Sequence, residues 1–384
     1  MTLNVHWFLP TGGDSRDVTP ATDEAHQRPP SLDYLGQVAR AADHLGFEGA
    51  LTPTGTWCED AWIVTAALLA QTRRLRFLVA FRPGLISPTL AAQMAATYQR
   101  VSGGRLLLNL VTGGEGQEMR RFGDHLDKEH RYARADEFLR VLRGAWDETP
   151  LSWFGDYYDV EGATTRRAPS PRPEIFFGGA SAAAERVAAA HADVYLSWGE
   201  PPEALAERIA RVRALAAEQE RAPRFGLRLH VIARERSEDA WAETDRLLAA
   251  MDPDAVATMH AALSRSESEG QRRMAALHGG RTDELVVAPN LWAGIGLVRG
   301  GAGTALVGSF EEVADRIAEY HALGFDELIL SGHPHLEEAY TVGEGVLPLL
   351  RARGLVTSPD PEREVAAPGA YVSLPDVRRP LAAS

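Results

Sequence analysis

The sequence predicts an α/β protein built as a closed (β/α)8 TIM barrel with insertion segments. Short apolar runs alternate with longer amphipathic stretches, the pattern of repeated parallel βα units. The strand-like runs number eight, beginning near residues 5, 47, 75, 105, 174, 194, 225 and 327. A chain of 384 residues is long for an ordinary domain but suits one barrel carrying insertions. A doubly wound open sheet is the alternative at this level. It usually offers a Gly-rich dinucleotide turn after its first strand, and Pro10-Thr11-Gly12-Gly13-Asp14 is not that fingerprint.

The elements follow in order. Residues 5–9 read as the first strand. Leu32, Leu35, Val38, Ala39 and Ala42 recur at helical spacing within residues 31–45. Strands over 47–51, 75–80 and 105–111 are followed by helices over 60–71, 88–101 and 130–146. Strands over 174–177, 194–198 and 225–233 precede helices over 181–190, 202–219 and 238–250. A helix over 311–323, a strand over 327–331 and a helix over 337–351 complete the repeat. Residues 1–358 are thus expected to form one catalytic barrel. Two segments interrupt it. Residues 150–173, rich in Trp, Tyr, Gly and Pro, read as an inserted hairpin or loop. Residues 252–304 read as a lid, or equally as a surface excursion or oligomer contact. Residues 359–384 read as a tail.

Composition narrows the function. The formal charge of −13 repels nucleic acid and anionic membrane, so neither is expected as a partner. No apolar run is long enough to span a bilayer. The first ten residues show no secretory pattern, and the single cysteine, Cys58, cannot form an internal disulfide. A cytoplasmic location is expected. Lys128 is the only lysine, which weakens any Schiff-base mechanism and makes arginine the carrier of anion recognition.

Barrel chemistry sits where strands end at their C-termini. In the seventh strand, Arg228 and His230 are two apart and project from one face, opposite Leu227, Leu229 and Val231. Two such groups facing inward are costly without a partner. The partner is a bound anion, or else a carboxylate and a hydrogen bond of the protein's own. The eighth strand runs into Ser331-Gly332-His333-Pro334-His335, which suits a metal, proton transfer or an anion. Phe177-Gly178-Gly179-Ala180-Ser181 leads from strand to helix, where free N–H groups can hold a phosphate. Asn109 and Thr112 suit a heterocycle or a turn, and Trp198 a pocket wall or simple packing.

Taken together, these segments resemble the bacterial luciferase-like family, and within it the FMNH2-dependent alkanesulfonate monooxygenases. The matching stretches include Trp7-Phe8-Leu9-Pro10-Thr11, Cys58-Glu59-Asp60-Ala61-Trp62, Asn109-Leu110-Val111-Thr112-Gly113 and Trp198-Gly199-Glu200-Pro201-Pro202. They continue through Phe225-Gly226-Leu227-Arg228-Leu229-His230-Val231, Leu297-Val298-Arg299-Gly300-Gly301 and Pro334-His335-Leu336-Glu337-Glu338. The resemblance implies a two-component, homotetrameric oxidoreductase of sulfur metabolism. A separate NAD(P)H-dependent FMN reductase supplies FMNH2, and O2 oxidises an alkanesulfonate to aldehyde and sulfite. It implies that Trp198, Arg228, His230, Arg299 and His335 form the sulfonate pocket, with Arg273 joining from the lid. It places Cys58 near the flavin as a catalytic thiol, and FMN against Thr54, Ala80, Asn109, Thr112, Tyr132, Gly179, Ala180 and Ser181. No metal is implied.

One departure stands out. Where the family pattern reads Ser-Gly-Tyr-Pro-His, this chain has His333. Histidine titrates near neutrality, so His333 is expected to contact flavin or sulfonate and to shift the pH profile. Two other enzyme readings remain: a deazaflavin-dependent oxidoreductase of the same superfamily, and a metal-dependent barrel hydrolase using His230, His333 and His335. A non-catalytic flavin-binding protein is the least favoured.

Overall fold

The computed structural model describes residues 2–18, 27–147 and 149–357. The expected tail, residues 359–384, lies outside the described residues. The first half of the chain forms β1 (Asn4–Phe8), α1 (Leu32–Leu45), β2 (Gly49–Thr52), α2 (Ala61–Leu68), β3 (Arg76–Phe81), α3 (Pro88–Ser102) and β4 (Leu106–Leu110). Next come α4 (Gly116–Arg121), α5 (Lys128–Gly144), β5 (Leu151–Phe154), β6 (Asp159–Ala163), β7 (Ile175–Gly178), α6 (Ala182–His191), β8 (Val194–Trp198) and α7 (Pro202–Ala217). The last part forms β9 (Arg224–Arg234), α8 (Ser237–Ala249), α9 (Pro253–Ser264), α10 (Glu269–His278), β10 (Val286–Ala288), β11 (Leu291–Trp292) and β12 (Ala305–Ser309). It ends with α11 (Phe310–Leu323), β13 (Glu327–Ser331) and α12 (His335–Ala352).

Eight parallel strands close the barrel in the order β1-β2-β3-β4-β7-β8-β9-β13, with β13 returning to β1. They are the eight that the apolar runs mark, so the closed (β/α)8 barrel holds and the open-sheet alternative does not. Local chemistry starts and stops the helices. Ser31, Asp60, Ser87, Asp127, Ser181 and Ser309 each accept an N–H of the first helical turn. Gly46 and Gly324 end α1 and α11 in the left-handed conformation.

Strand register stacks the inward side chains in three storeys. The lowest is ionic. His6 Nε2 lies 2.6 Å from Glu327 Oε2, and Arg76 lies 3.1 Å from Glu174. Arg224 bridges Glu174 and Glu327. The middle storey is apolar: Phe8, Leu51, Leu78, Leu107, Phe176, Val194 and Ile329 fill the bore. The top storey, at the C-terminal mouth, is polar again, with Trp198 beside Arg228 and His230 beside Ser331 in register. The opposite faces of the strands pack the large core beneath the helices.

The two interrupting segments carry elements of their own. Residues 151–163 form the hairpin β5–β6. The segment after α8 holds two helices, α9 and α10, and the short strands β10 and β11. β12 pairs in parallel with residues 230–234 of β9, beyond the part of β9 that closes the ring. This side sheet buries a cluster that includes Ile232, Leu247, Trp292, Leu297 and Val307.

The ionic storey gives a stability test. Glu327 is buried and also accepts from Asn4 at 2.9 Å. Glu327→Ala leaves Arg224 and His6 facing the apolar storey with one carboxylate fewer. It is expected to destabilise the fold by about 3–5 kcal/mol, read as a lowered urea midpoint.

Candidate active site

A cavity of about 210 Å3 opens at the C-terminal mouth. Of the residues expected to hold the cofactor, Asn109, Thr112, Tyr132, Gly179, Ala180 and Ser181 line it. Thr54 and Ala80 do not. Ala80 is buried opposite Asn109 in the β3–β4 ladder, and the Thr54 carbonyl accepts from Arg82 at 3.4 Å. Residues Leu51, Leu110 and Ile329 make an apolar wall.

The lining fits a phosphate-bearing flavin. A Cβ on Gly179 would lie 2.5 Å from Ala184 Cβ and 3.0 Å from the Tyr132 hydroxyl, so only glycine leaves the turn into α6 open. Ser181 caps α6, whose first N–H groups give the positive helix end that favours an anion. Lys128 stands on the same wall. Buried Ser197 Oγ has no partner among the described residues. Asn109 and Thr112 can meet the polar edge of a ring above the apolar wall.

Beside the cavity lies a cluster of cationic and imidazole groups, with Arg228, His230 and His335 buried and Arg299 and His333 half-buried. Arg228 lines the cavity and donates to Leu229 O at 2.5 Å and Ser331 Oγ at 2.8 Å. Its guanidinium lies 4.8 Å from the centre of the Phe8 ring. Burial, then the charge of Arg299, pushes it down to about 9. Burial also lowers Arg299, whose Nη1 lies 3.3 Å from His333 Nε2. Neither arginine has an ion-pair partner among the described residues.

The hydrogen bonds assign the imidazoles. Ser331 Oγ accepts from Arg228, so its proton goes to His230 Nδ1, 2.9 Å away. His230 stacks on His333 at 5.6 Å. His333 Nε2 faces the guanidinium of Arg299 and must accept from it. Burial and the neighbouring positive charges push both His230 and His333 well below the usual imidazole value. His335 is different: its Nδ1 lies 2.8 Å from Asp14 Oδ1, and its backbone N–H donates to Asp14 Oδ2 at 2.7 Å. Burial raises the Asp14 carboxyl, but the charge and hydrogen bonds of His335, with Tyr34, outweigh it and hold it at about 2.

Three expectations need correction. His333 does not titrate near neutrality here; it is a neutral acceptor for Arg299. Arg273 is not free for a substrate. Its Nε donates to Glu200 Oε2 at 2.8 Å, and Glu200 also lies 2.7 Å from Arg208. Cys58 does not line the cavity, and burial pushes its thiol up to about 11, so no thiolate stands ready at neutral pH. Arg273 instead ties α10 across the mouth. Gly270 packs on Trp198 so closely that a Cβ would lie 2.9 Å from the indole. Arg131 meets Glu267 at 3.3 Å, and Gln271 Oε1 accepts the Gly301 N–H at 2.7 Å. The excursion is therefore a docked roof over Trp198.

Asp14, Ser331 and Glu200 carry no assigned role in the sequence reading. Each lies in a loop or strand end at the C-terminal mouth, and that placement was the available signal. Asp14, His333 and His335 bring potential metal-ligand atoms within 4.8 Å of one another. Yet Asp14 already serves His335 and Tyr34, His333 Nε2 faces Arg299, and two unpaired guanidiniums make the spot cationic. This electrostatic setting favours an anion over a divalent ion.

The family model described as luciferase-like monooxygenase matches residues 3–327. Among solved structures, a riboflavin lyase with modified FMN and riboflavin is similar over 95% of this chain and 96% of its own, at 22% identity and TM-score 0.78. EDTA monooxygenase from Chelativorans sp. BNC1 is similar over 92% of this chain and 95% of its own, at 19% identity and TM-score 0.75. An F420-dependent secondary alcohol dehydrogenase with an F420-acetone adduct is similar over 90% and 99%, at 15% identity and TM-score 0.65. At these identities the likeness to solved structures shows the shared fold.

The state of His333 is testable. His333→Phe removes the acceptor of Arg299 and is expected to raise the KM for an anionic substrate about tenfold. Because burial and the surrounding positive charges hold His333 well below the usual imidazole value, the shape of the pH–rate profile between pH 6 and 9 should be unchanged. A lost or displaced limb in that range would show that His333 does titrate.

Proposed function

The chain belongs to the luciferase-like monooxygenase family, and from that premise we propose that it is a two-component oxygenase that releases sulfite from alkanesulfonates. The observation that carries this reading is a pair of guanidiniums, buried Arg228 and half-buried Arg299, with no carboxylate partner among the described residues. A buried charge of this kind is costly until an opposite charge arrives. A sulfonate is a permanent monoanion and suits charge-assisted donors from two sides.

In this reading FMN occupies the cavity between Asn109, Tyr132 and the start of α6. When bound and reduced, it supplies two electrons to O2, so that one oxygen atom ends in the aldehyde and the other in water. The sulfonate-bearing carbon loses its C–S bond, and the sulfur leaves as bisulfite. The protein's own groups bind and orient. Arg228, held by Ser331 and braced on Phe8, grips one face of the sulfonate. Arg299, steadied by His333, closes from the Gly-rich loop. Trp198 walls the substrate under α10, and the docked roof excludes water. A separate NAD(P)H-dependent reductase supplies the reduced FMN, and a homotetramer is the assembly that this reading carries.

The deazaflavin reading keeps the fold and exchanges the cofactor. The anion-seeking pair beside the cavity favours the sulfonate reading over it.

The test is sulfite release from a panel of C1 to C10 alkanesulfonates with FMN, a flavin reductase and NAD(P)H. At least one should yield sulfite and aldehyde. Arg228→Ala and Arg299→Ala should each lower kcat/KM by about 100-fold or more, about 3 kcal/mol, and Arg299→Ala, at a position outside the cavity lining, should leave reduced FMN binding within about twofold of the parent protein. No sulfite from any member would sink the substrate assignment and leave the family standing.

A further inference from the structure

We propose that Gln271 is a positioning residue that holds Arg299 over the anion site, so that the roof helix α10 sets how tightly the cationic cup grips its ligand. This rests on the anion reading of that cup and adds a residue outside it. Gln271 is 6% exposed and does not line the cavity.

The loop that carries Arg299 is anchored at its ends and loose at its tip. On the entering side, Leu297 and Val298 are buried in the side-sheet cluster. On the leaving side, the buried Thr304 hydroxyl donates to Gly199 O at 2.9 Å, and the Thr304 carbonyl accepts the His230 N–H at 2.9 Å. The Gly296 N–H donates to Gly303 O at 2.9 Å and pinches the neck. Between these anchors run Arg299, Gly300, Gly301 and Ala302. Two adjacent glycines leave the backbone there with wide freedom, and Gly301 takes a φ of +92°. Among the described residues, the backbone of 299–302 makes one hydrogen bond, from the Gly301 N–H to Gln271 Oε1 at 2.7 Å. The same amide lies against Gly300, where a Cβ would come within 3.1 Å of Gln271 Nε2. The place of Arg299 therefore depends on the tip, and the tip depends on Gln271.

Helix α10 can do this because two of its faces meet different partners. Gly270 and Arg273 share a face that meets the end of β8. A Cβ at Gly270 would lie 2.9 Å from the Trp198 indole, and Arg273 Nε donates to Glu200 Oε2 at 2.8 Å. Gln271 and Met274 share the face that meets the loop; a Cβ at Gly303 would lie 3.7 Å from Met274 Cβ. Ser268 caps the helix and accepts the Gln271 N–H at 3.3 Å, which fixes residue 271 in the first turn. Without the Gln271 amide, the Gly301 N–H loses its acceptor and the tip is freed. Arg299 then spends less time over the cup, and anion affinity falls by the fraction of time lost. The contacts of Arg228 are untouched.

Calorimetry of 1-pentanesulfonate binding tests this on the full-length protein with reduced FMN under anaerobic conditions. The parent, Gln271→Met, Arg299→Ala and the double variant are compared. Methionine keeps the length of the side chain and removes the oxygen acceptor. Gln271→Met should weaken binding about tenfold in the parent background and less than about twofold beside Arg299→Ala, because its effect passes through that guanidinium. Gln271→Ala should behave alike, and it carries the comparison if Gln271→Met fails to fold. A residue that merely braces the roof would cost the same factor in both backgrounds, and equal losses overturn the proposal. Hydrogen exchange without ligand gives a second reading. The peptide over residues 298–304 should exchange about tenfold faster in Gln271→Met, and the peptide over residues 197–201 at the parent rate. Unchanged exchange at 298–304, or faster exchange at both, overturns the local role. No binding of 1-pentanesulfonate by the parent protein overturns the anion reading and the part of Gln271 in capture with it, while its hold on the loop is still decided by exchange.

Discussion

Side chains two residues apart on a barrel strand share the bore, so a single strand must furnish both ends of the barrel. β9 shows the consequence. Arg224 enters the ionic floor, Gly226 leaves room at the waist, and Arg228 and His230 reach the mouth. A one-residue slip would send all four to the helix side and bring Leu227, Leu229 and Val231 into the bore. Every other inward position is set by register against this strand or its neighbours. The floor, the apolar waist and the cationic mouth are thus one pattern read along one direction.

The two ends solve the burial of charge in opposite ways. At the floor, Arg224 meets Glu174 and Glu327, and Arg76 meets Glu174 and Glu48, so each guanidinium finds a carboxylate of the protein. At the mouth, Arg228 finds, among the described residues, a carbonyl, a hydroxyl and an aromatic face but no carboxylate. The apolar storey between them keeps the floor carboxylates from neutralising the mouth. The mouth therefore keeps a positive field in a poorly hydrated place, where it acts most strongly on an incoming anion.

Much of this was legible in sequence, for a physical reason. Barrel strands and their helices are periodic, and periodicity is local. The parity of Arg228 and His230 follows from their spacing alone. What was not legible is partnership across distance. Arg273 was assigned to the substrate because its partner, Glu200, lies 73 positions away. The tie between Asp14 and His335 spans 321 positions. His333 was expected to titrate because its burial among cations is a tertiary fact. The helices of the excursion were missed although Asp252 before Pro253, and Ser268, are ordinary helix starts. The polar and Gly-rich composition around them outweighed those signals.

In the proposed reading, the cofactor half and the anion half of the mouth come largely from different strands. β4, β7 and β8 supply most of the cavity wall, completed by Leu51 of β2 and Ile329 of β13; β9, β13, the β1 loop and the Gly-rich loop supply the cationic cup. The two halves meet where Trp198 pairs with Arg228, and Arg228 belongs to both. An anion on Arg228 therefore abuts whatever fills the cavity, without any rearrangement of the barrel. The roof settles on the same seam, with Gly270 of α10 on the Trp198 indole. In the proposed reading, roof contact, cofactor contact and anion capture converge on one β8–β9 pair, so that groups set by strand register would decide the specificity of the site, while the excursion would govern how well water is kept out.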